Sequence, residues 1–370
     1  LIEVVSHHRY FKRKLIAFIF ALLIAAIPAL AAEPVAQPLK VAFVMSGPVS
    51  DYGYNYAQNV GRIFMQSHMK NVQTTMIENV PENEVVERVM EKLIAQGNHL
   101  LFSTSYGYLE PAERVAKRHP DVFIVQGFRE STLPNLGSFA ARLYEPLYVV
   151  GMVAGKLTTK NNIGIVCAHP IPVTVQNINA IALGAQSVNP KAKVHVVWTS
   201  SWSDPPTESE ATKELIASGV DVVGSELSNP LTVARTAEQH HAMSISNQTD
   251  LREIVPNGWL TGSRWNWGPT FCAIAESVRN HSMKPGLHWL GLKDGTVALC
   301  TFGKSVPTAI QKDASALCQQ IEQGKKNVFI GPLKDREGKQ RLTAGQVGDA
   351  KFLGDMDWFV SGVEGPLPKK

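Results

Sequence analysis

Side chains able to grip a small molecule gather in short loops that follow apolar runs. One loop, GPVSDYGYN over 47–55, carries the carboxylate of Asp51, the rings of Tyr52 and Tyr54 and the amide of Asn55. A second, STSYGY over 103–108, sets Tyr106 and Tyr108 among small residues that let the backbone come close to a ligand. Trp202 lies in TSSWSDP (199–205), Glu226 in GSELSNP (224–230), and Asn247 and Asp250 in NQTD (247–250). Aromatic rings stack on flat faces, while amides and carboxylates read polar edges. Arg and Lys, which an anionic ligand would call for, are scarce in these loops. The set suits a planar, polar-edged heterocycle better than a sugar phosphate. Each residue also has a local reading: Asp51 as the cap of the following helix, the tyrosines as ordinary packing.

No catalytic constellation accompanies these residues. Gly303-Lys304-Ser305 resembles the end of a phosphate-binding loop, but that loop needs a glycine five residues earlier, where this chain has Ala298. No G-x-S-x-G elbow or H-E-x-x-H helix occurs, and no G-x-G-x-x-G follows a strand. His240 and His241 end a helix, where adjacent side chains diverge. Cys167, Cys272, Cys300 and Cys318 have no C-x-x-C spacing, which disfavours zinc and thioredoxin-type chemistry. Cys300 and Cys318 flank one short segment, and a disulfide between them or buried free thiols are both open. A nucleoside hydrolase or transferase would need a nucleophile or base placed by its neighbours, and none is evident. The expectation is a binding protein without catalysis, cofactor or metal.

Such loops need elements to hold them at one edge. KVAFVM at 40–45 is a short continuous apolar run, the kind of strand buried on both faces of a parallel sheet. Helical patterns at 54–69, 82–96 and 111–118 alternate with strands at 72–78, 100–103 and 122–126. The alternation resumes with strands at 163–167, 193–198, 220–223 and 243–246 and helices at 174–188, 208–218 and 231–240. Strand-helix alternation implies parallel pairing with right-handed crossovers. Two doubly wound Rossmann-like lobes are expected, with a ligand in the cleft beyond the carboxyl ends of their strands. The first lobe is assigned 39–145 plus about 268–300, the second 146–267 plus about 301–361, and 362–370 is a tail.

The 370 residues are 44% apolar and 18% charged, enough for two domains with sizeable cores. Residues 1–31 read as a cleavable export signal: Arg9, Lys12, Arg13 and Lys14 precede an apolar run over 15–30, and Ala29-Leu30-Ala31 offers small residues for cleavage. The segment 32–38 reads as a flexible lead-in. Without 1–31 the chain holds 32 basic and 31 acidic side chains, so no electrostatic case for nucleic acid survives. The expected compartment is the periplasm, and no cysteine near the cleavage site supports lipid attachment.

In these loops and in several further stretches the chain resembles the basic membrane protein family of ABC-transporter substrate-binding proteins, whose better-understood members bind purine nucleosides or nucleobases. The matching stretches include GPVSDYGYNYAQNVGR (47–62), STSYGY (103–108), YEPLYVVGMVAGKLT (144–158), WSDPP (202–206), GSRWNWGP (262–269), GLKDGTV (291–297) and VFIGPLKDREGK (328–339). The resemblance implies a type I periplasmic-binding-protein fold, two lobes joined by three crossovers, that captures its ligand by closing. It implies ligand contacts from Asp51, Tyr54, Asn55 and Tyr106, and a place at the ligand or the hinge for Trp267, Lys293 and Asp294. Trp202 matches the tryptophan of the W-x-D-P run. The implied partners are a purine base or nucleoside and an ABC permease, with the receptor a monomer. A ligand-sensing domain for a membrane signalling partner is the alternative. The chain departs from the family pattern at Glu226, where a histidine is usual, at Tyr106, where Phe is common, and at Asn247, where Tyr is common. These changes leave the fold alone and fall where specificity is set.

Overall fold

The computed structural model describes residues 37–368, so the export signal expected over 1–31 lies outside the described residues. Leu39–Lys370 forms one compact unit. Its first half runs β1 (Leu39–Val44), β2 (Val72–Ile77), β3 (Leu100–Ser103), β4 (Phe123–Gly127) and β5 (Leu136–Ala141), with helices between. The second half runs β6 (Asn162–Cys167), β7 (Lys193–Trp198), β8 (Val222–Glu226), β9 (Met243–Ser246) and β10 (Trp259–Trp265). Then come β11 (Gly286–Leu290), β12 (Val297–Leu299), the small hairpin β13 (Leu333–Lys334) and β14 (Gln340–Leu342), and finally β15 (Val363–Glu364).

The strands form two main sheets, ordered β11-β5-β4-β3-β1-β2 and β12-β10-β9-β8-β6-β7-β15. Pairing is parallel throughout the first sheet, from β1 on β2 and β3 to β5 on β11. In the second sheet only β12 runs antiparallel, on β10, among the described residues. β3 and β8 are buried at every residue, as strands covered by helices on both faces must be. The chain passes between sheets three times: between β5 and β6, between β10 and β11, and between β11 and β12. Val297–Leu299 pairs with β10, so the last passage comes before the boundary expected near 300.

Several helices start earlier than the apolar periodicity indicates. Pro172, Pro205 and Pro230 each sit in the first turn, where a missing N–H is no loss and the fixed φ already suits the helix. Asp204 and Asn229 cap two of them, accepting from the backbone N–H of Thr207 and Leu231. The helices Tyr144–Leu157 and Pro172–Gln186 pack unusually close. A Cβ on Gly184 would lie 1.9 Å from the Tyr148 carbonyl oxygen, so only glycine permits this approach.

The first sheet's core stacks Phe43 on Phe102 at 4.5 Å, with Phe139 and Phe271 edge-on and tilted around them. All four cysteines are free, and Cys167 and Cys300 are buried. Among the described residues no helix is long and apolar enough to cross a membrane, and no acidic, histidine or cysteine cluster could hold a metal ion.

Candidate ligand-binding site

A cavity lies where the carboxyl ends of the two sheets face each other. The first sheet supplies Ser46 beyond β1, Ser105 and Tyr106 beyond β3, Phe128 beyond β4, and Leu143 beyond β5. Tyr54 enters from the first turn of the helix Tyr54–His68. From the second come Ile171, Val173, Thr174 and Asn177 after β6, Trp202 after β7, Glu226 at the end of β8, Asn247 and Gln248 after β9, and Trp265 at the end of β10. The wall from the first lobe is mostly aromatic and apolar, and that from the second carries the amides and the acid. No Lys, Arg or His lines the cavity among the described residues.

The rings brace one another. Tyr54 meets Trp265 edge-on at 5.3 Å, and Phe128 tilts against both at 6.1 and 6.3 Å. The Tyr54 phenol donates to the Thr104 carbonyl, and burial above all raises its pKa well above the ordinary value, so it stays a neutral donor. Arg129 covers the Tyr106 ring at 5.2 Å and is itself paired with Glu110 at 2.8 Å. Trp202 stands edge-on to His169 at 5.0 Å.

Glu226 is the one acid among the described residues of the cavity and is 6% exposed. Asn177 Nδ2 donates to its Oε2 at 2.9 Å, while Oε1 has no partner among the described residues. Burial pushes its carboxyl up to about 8, against the smaller opposing pull of the Asn177 and Asn247 side chains. Oxygens of Asn177, Asn247 and Gln248 and the Trp265 indole N–H are likewise buried without partners among the described residues. Buried polar atoms are ordinarily satisfied, so this cluster leaves the cavity wall with unmet hydrogen-bonding capacity.

Tyr54, Tyr106, Trp202, Glu226 and Asn247 of the expected set come together here. Asn55 is buried beside them, accepts from the Gly47 N–H at 3.3 Å, and lines an adjoining serine-rich cleft that shares Ser46, Trp202 and Ser228. Asp51 ends the short turn Val49–Asp51, and its side chain lies outside the described part of the structure. The remaining four residues lie away from the cavity. Asp250 is exposed and accepts from the N–H groups of Arg252 and Thr301, at 3.0 and 2.9 Å. Trp267 is buried in the core, edge-on to Phe139 and stacked on Phe271. Lys293 is exposed. Asp294 accepts from Gly291 N–H at 2.8 Å and pairs with Arg142 at 3.2 Å, tying the β11–β12 passage to the end of β5.

Sequence reasoning missed Phe128, Asn177, Gln248 and Trp265. Phe128 and Trp265 follow the same strand-end rule as the others. Asn177 had a different signal: Gln176, Asn177 and Asn179 interrupt a helix that is apolar and buried nearly all round.

The two lobes meet at the mouth of the cavity. The Tyr54 N–H donates to the Ser228 carbonyl at 3.1 Å, and the Thr249 hydroxyl donates to the Tyr52 carbonyl. Gly53 sits between them, where a Cβ would lie 2.1 Å from the Ser228 oxygen.

Two facing α/β lobes, three passages and an interlobe cavity define a type I periplasmic-binding-protein fold. A solute-binding protein of an ABC transporter system from Aeropyrum pernix K1 has this fold, with a TM-score of 0.67 at 18% identity over 80% of this chain and 93% of that one. Residues 39–330 match the Bmp family, described as ABC transporter substrate-binding protein PnrA-like, and the chain belongs to it. A purine-binding protein of Brucella abortus (strain 2308) is 34% identical over 334 residues, 90% of this chain and 95% of that protein. A putative ABC transporter glucose-binding protein of Haloferax volcanii is 31% identical over 333 residues, 90% of this chain and 82% of that protein. The chain is thus a substrate-binding protein rather than an enzyme.

The raised Glu226 carboxyl has a consequence for stability. The unfolded chain loses this proton near 4.5, whereas the folded, unliganded protein keeps it until about 8. The folded state therefore binds more protons across that window, and stability falls as pH rises through it. Thermal unfolding from pH 5 to 8 is expected to show wild type losing ground to Glu226→Gln as pH increases. Parallel curves for the two proteins would rule out a buried acid that titrates in this range.

Proposed function

We propose that this protein is the periplasmic receptor of an ABC importer and holds a purine nucleobase or nucleoside between its lobes for delivery to a membrane permease. The observation that carries the reading is the division of the cavity. Rings dominate the wall from one lobe, and unpaired amides and an acid mark the wall from the other. A planar base has the same division between apolar faces and polar edge. A base between Tyr106 or Tyr54 and Trp202 would turn its edge toward Glu226 and Asn247. The lack of Lys or Arg in the described lining speaks against a phosphorylated ligand. The purine-binding Brucella relative supports the same class. The leader pattern over 1–31 supports export.

Capture follows from differential affinity. A ligand that touches both lobes favours the form in which they meet, and that form presents a new surface to the permease. The contact of Tyr52–Tyr54 with Ser228 and Thr249 would act as the latch, and it closes only around a residue without a side chain. Gly53→Ala is expected to weaken ligand binding about tenfold or more, and to abolish ligand-induced compaction in small-angle scattering. Full compaction with unchanged affinity would refute the latch.

Calorimetric titration of the mature protein against adenine, hypoxanthine, guanosine and glucose tests the ligand class. Purines are expected to bind and glucose not to. Trp202→Ala should lose about 1–3 kcal/mol of binding, while Asp250→Asn, outside the cavity, should bind normally. Glucose binding with no response to purines would replace the purine reading with a sugar one.

A further inference from the structure

We infer that the solute carries an exocyclic amino group, and that Glu226 and Asn177 together select for it. This inference rests on a flat base lying in the cavity and adds which edge that base presents.

The hydrogen bond from Asn177 Nδ2 to Glu226 Oε2, at 2.9 Å, does more than hold the acid. It turns the Asn177 amide so that its NH2 faces the carboxyl and its carbonyl is the end left over. Glu226 Oε1 and Asn177 Oδ1 are then neighbouring buried oxygens without partners among the described residues, and Asn247 Oδ1 is a third. With Glu226 ionised, the only unpartnered buried donor among the described residues of the lining is the Trp265 indole N–H; the neutral acid adds its own O–H. Serine and threonine hydroxyls can turn to suit either need, so they do not set the balance. The polar end of the cavity is short of donors. An amino group supplies two N–H bonds to oxygens that otherwise have none. A ring carbonyl at the same place would meet mostly acceptors, with the O–H of a protonated Glu226 its one donor there besides the Trp265 indole.

The surroundings of the carboxyl sharpen the distinction. Facing Glu226 are Cys167 on β6, a thiol that burial pushes far up, and the amides of Asn177 and Asn247. Tyr54 lines the same cavity as a neutral phenol bonded to Thr104. No cation of the described lining offsets the charge, so burial keeps a proton on Glu226 while the cavity is empty of ligand. A donor-bearing base favours the ionised acceptor, and the proton passes to the buffer on binding. A base that binds through a carbonyl would keep that proton on Oε1 as the donor and release none.

The test is titration calorimetry near neutral pH with adenine, guanine, hypoxanthine, xanthine, cytosine and uracil, each run in two buffers of different ionisation enthalpy. Adenine and guanine are expected to bind about tenfold or more tighter than hypoxanthine and xanthine, with proton release seen only for the amino bases. Glu226→Gln should narrow the gap severalfold by replacing the acceptor with an amide that also donates. The wild-type panel decides the matter by itself should the variant not fold. Oxo purines binding as tightly as amino purines would overturn this inference and leave the purine receptor standing. Preference for cytosine over uracil, with no purine bound, would uphold the amino-group selection and overturn the purine reading. Binding of none of the six would overturn both.

Discussion

The site depends on a carboxylic acid kept out of water without a cation. Glu226 sits at the last residue of a fully buried strand, bonded by Asn177 on one oxygen and by nothing described on the other. Burying a charge alone is costly, and the protein meets that cost by holding the group neutral. Every other feature of the site arranges its approach. The helix beginning at Pro172 delivers Asn177, β9 delivers Asn247, and the rings from the facing lobe leave only one polar end to the space between.

That arrangement is a receptor's rather than an enzyme's. A catalyst would set a nucleophile or base against an orienting partner and leave it poised for transfer. Here the acid is oriented by a neutral amide, and among the described residues the cavity is lined by no second titrating group except phenols. Selectivity in such a site comes from the penalty on any solute that leaves its buried atoms unpaired. The Brucella and Haloferax relatives carry different ligand names, purine and glucose, at similar identity. Family membership therefore fixes the fold and the transporter class but not the solute.

The fold was legible because its signals are local. Short apolar runs such as 40–45 and the helices between them announce parallel sheets, and β1, β3 and β4 fall where those runs lie. β5 was overlooked because Leu136–Ala141 is rich in Gly, Ser and Ala, residues with little strand preference, and forms only because β4 and β11 hold it on either side. At the site, loop position picked out Tyr54, Tyr106, Trp202, Glu226 and Asn247. It also picked out Asp250, which is spent on the backbone of Arg252 and Thr301. Trp265 and Trp267 lie two residues apart, but the strand ends at the one and the next helix begins at the other. That change of element sends one ring to the cavity wall and the other into the core. Asn177 needed long-range information: nothing near it in sequence says that its helix faces β8.

The most direct measurement is a crystal structure of the mature protein with a bound purine. The base is predicted inside the cavity, with an aromatic ring from each lobe on its faces and an N–H of the base within about 3 Å of Glu226 Oε1. A base seated instead in the serine-rich cleft beside Asn55, with Glu226 Oε1 still lacking any partner, would contradict that prediction.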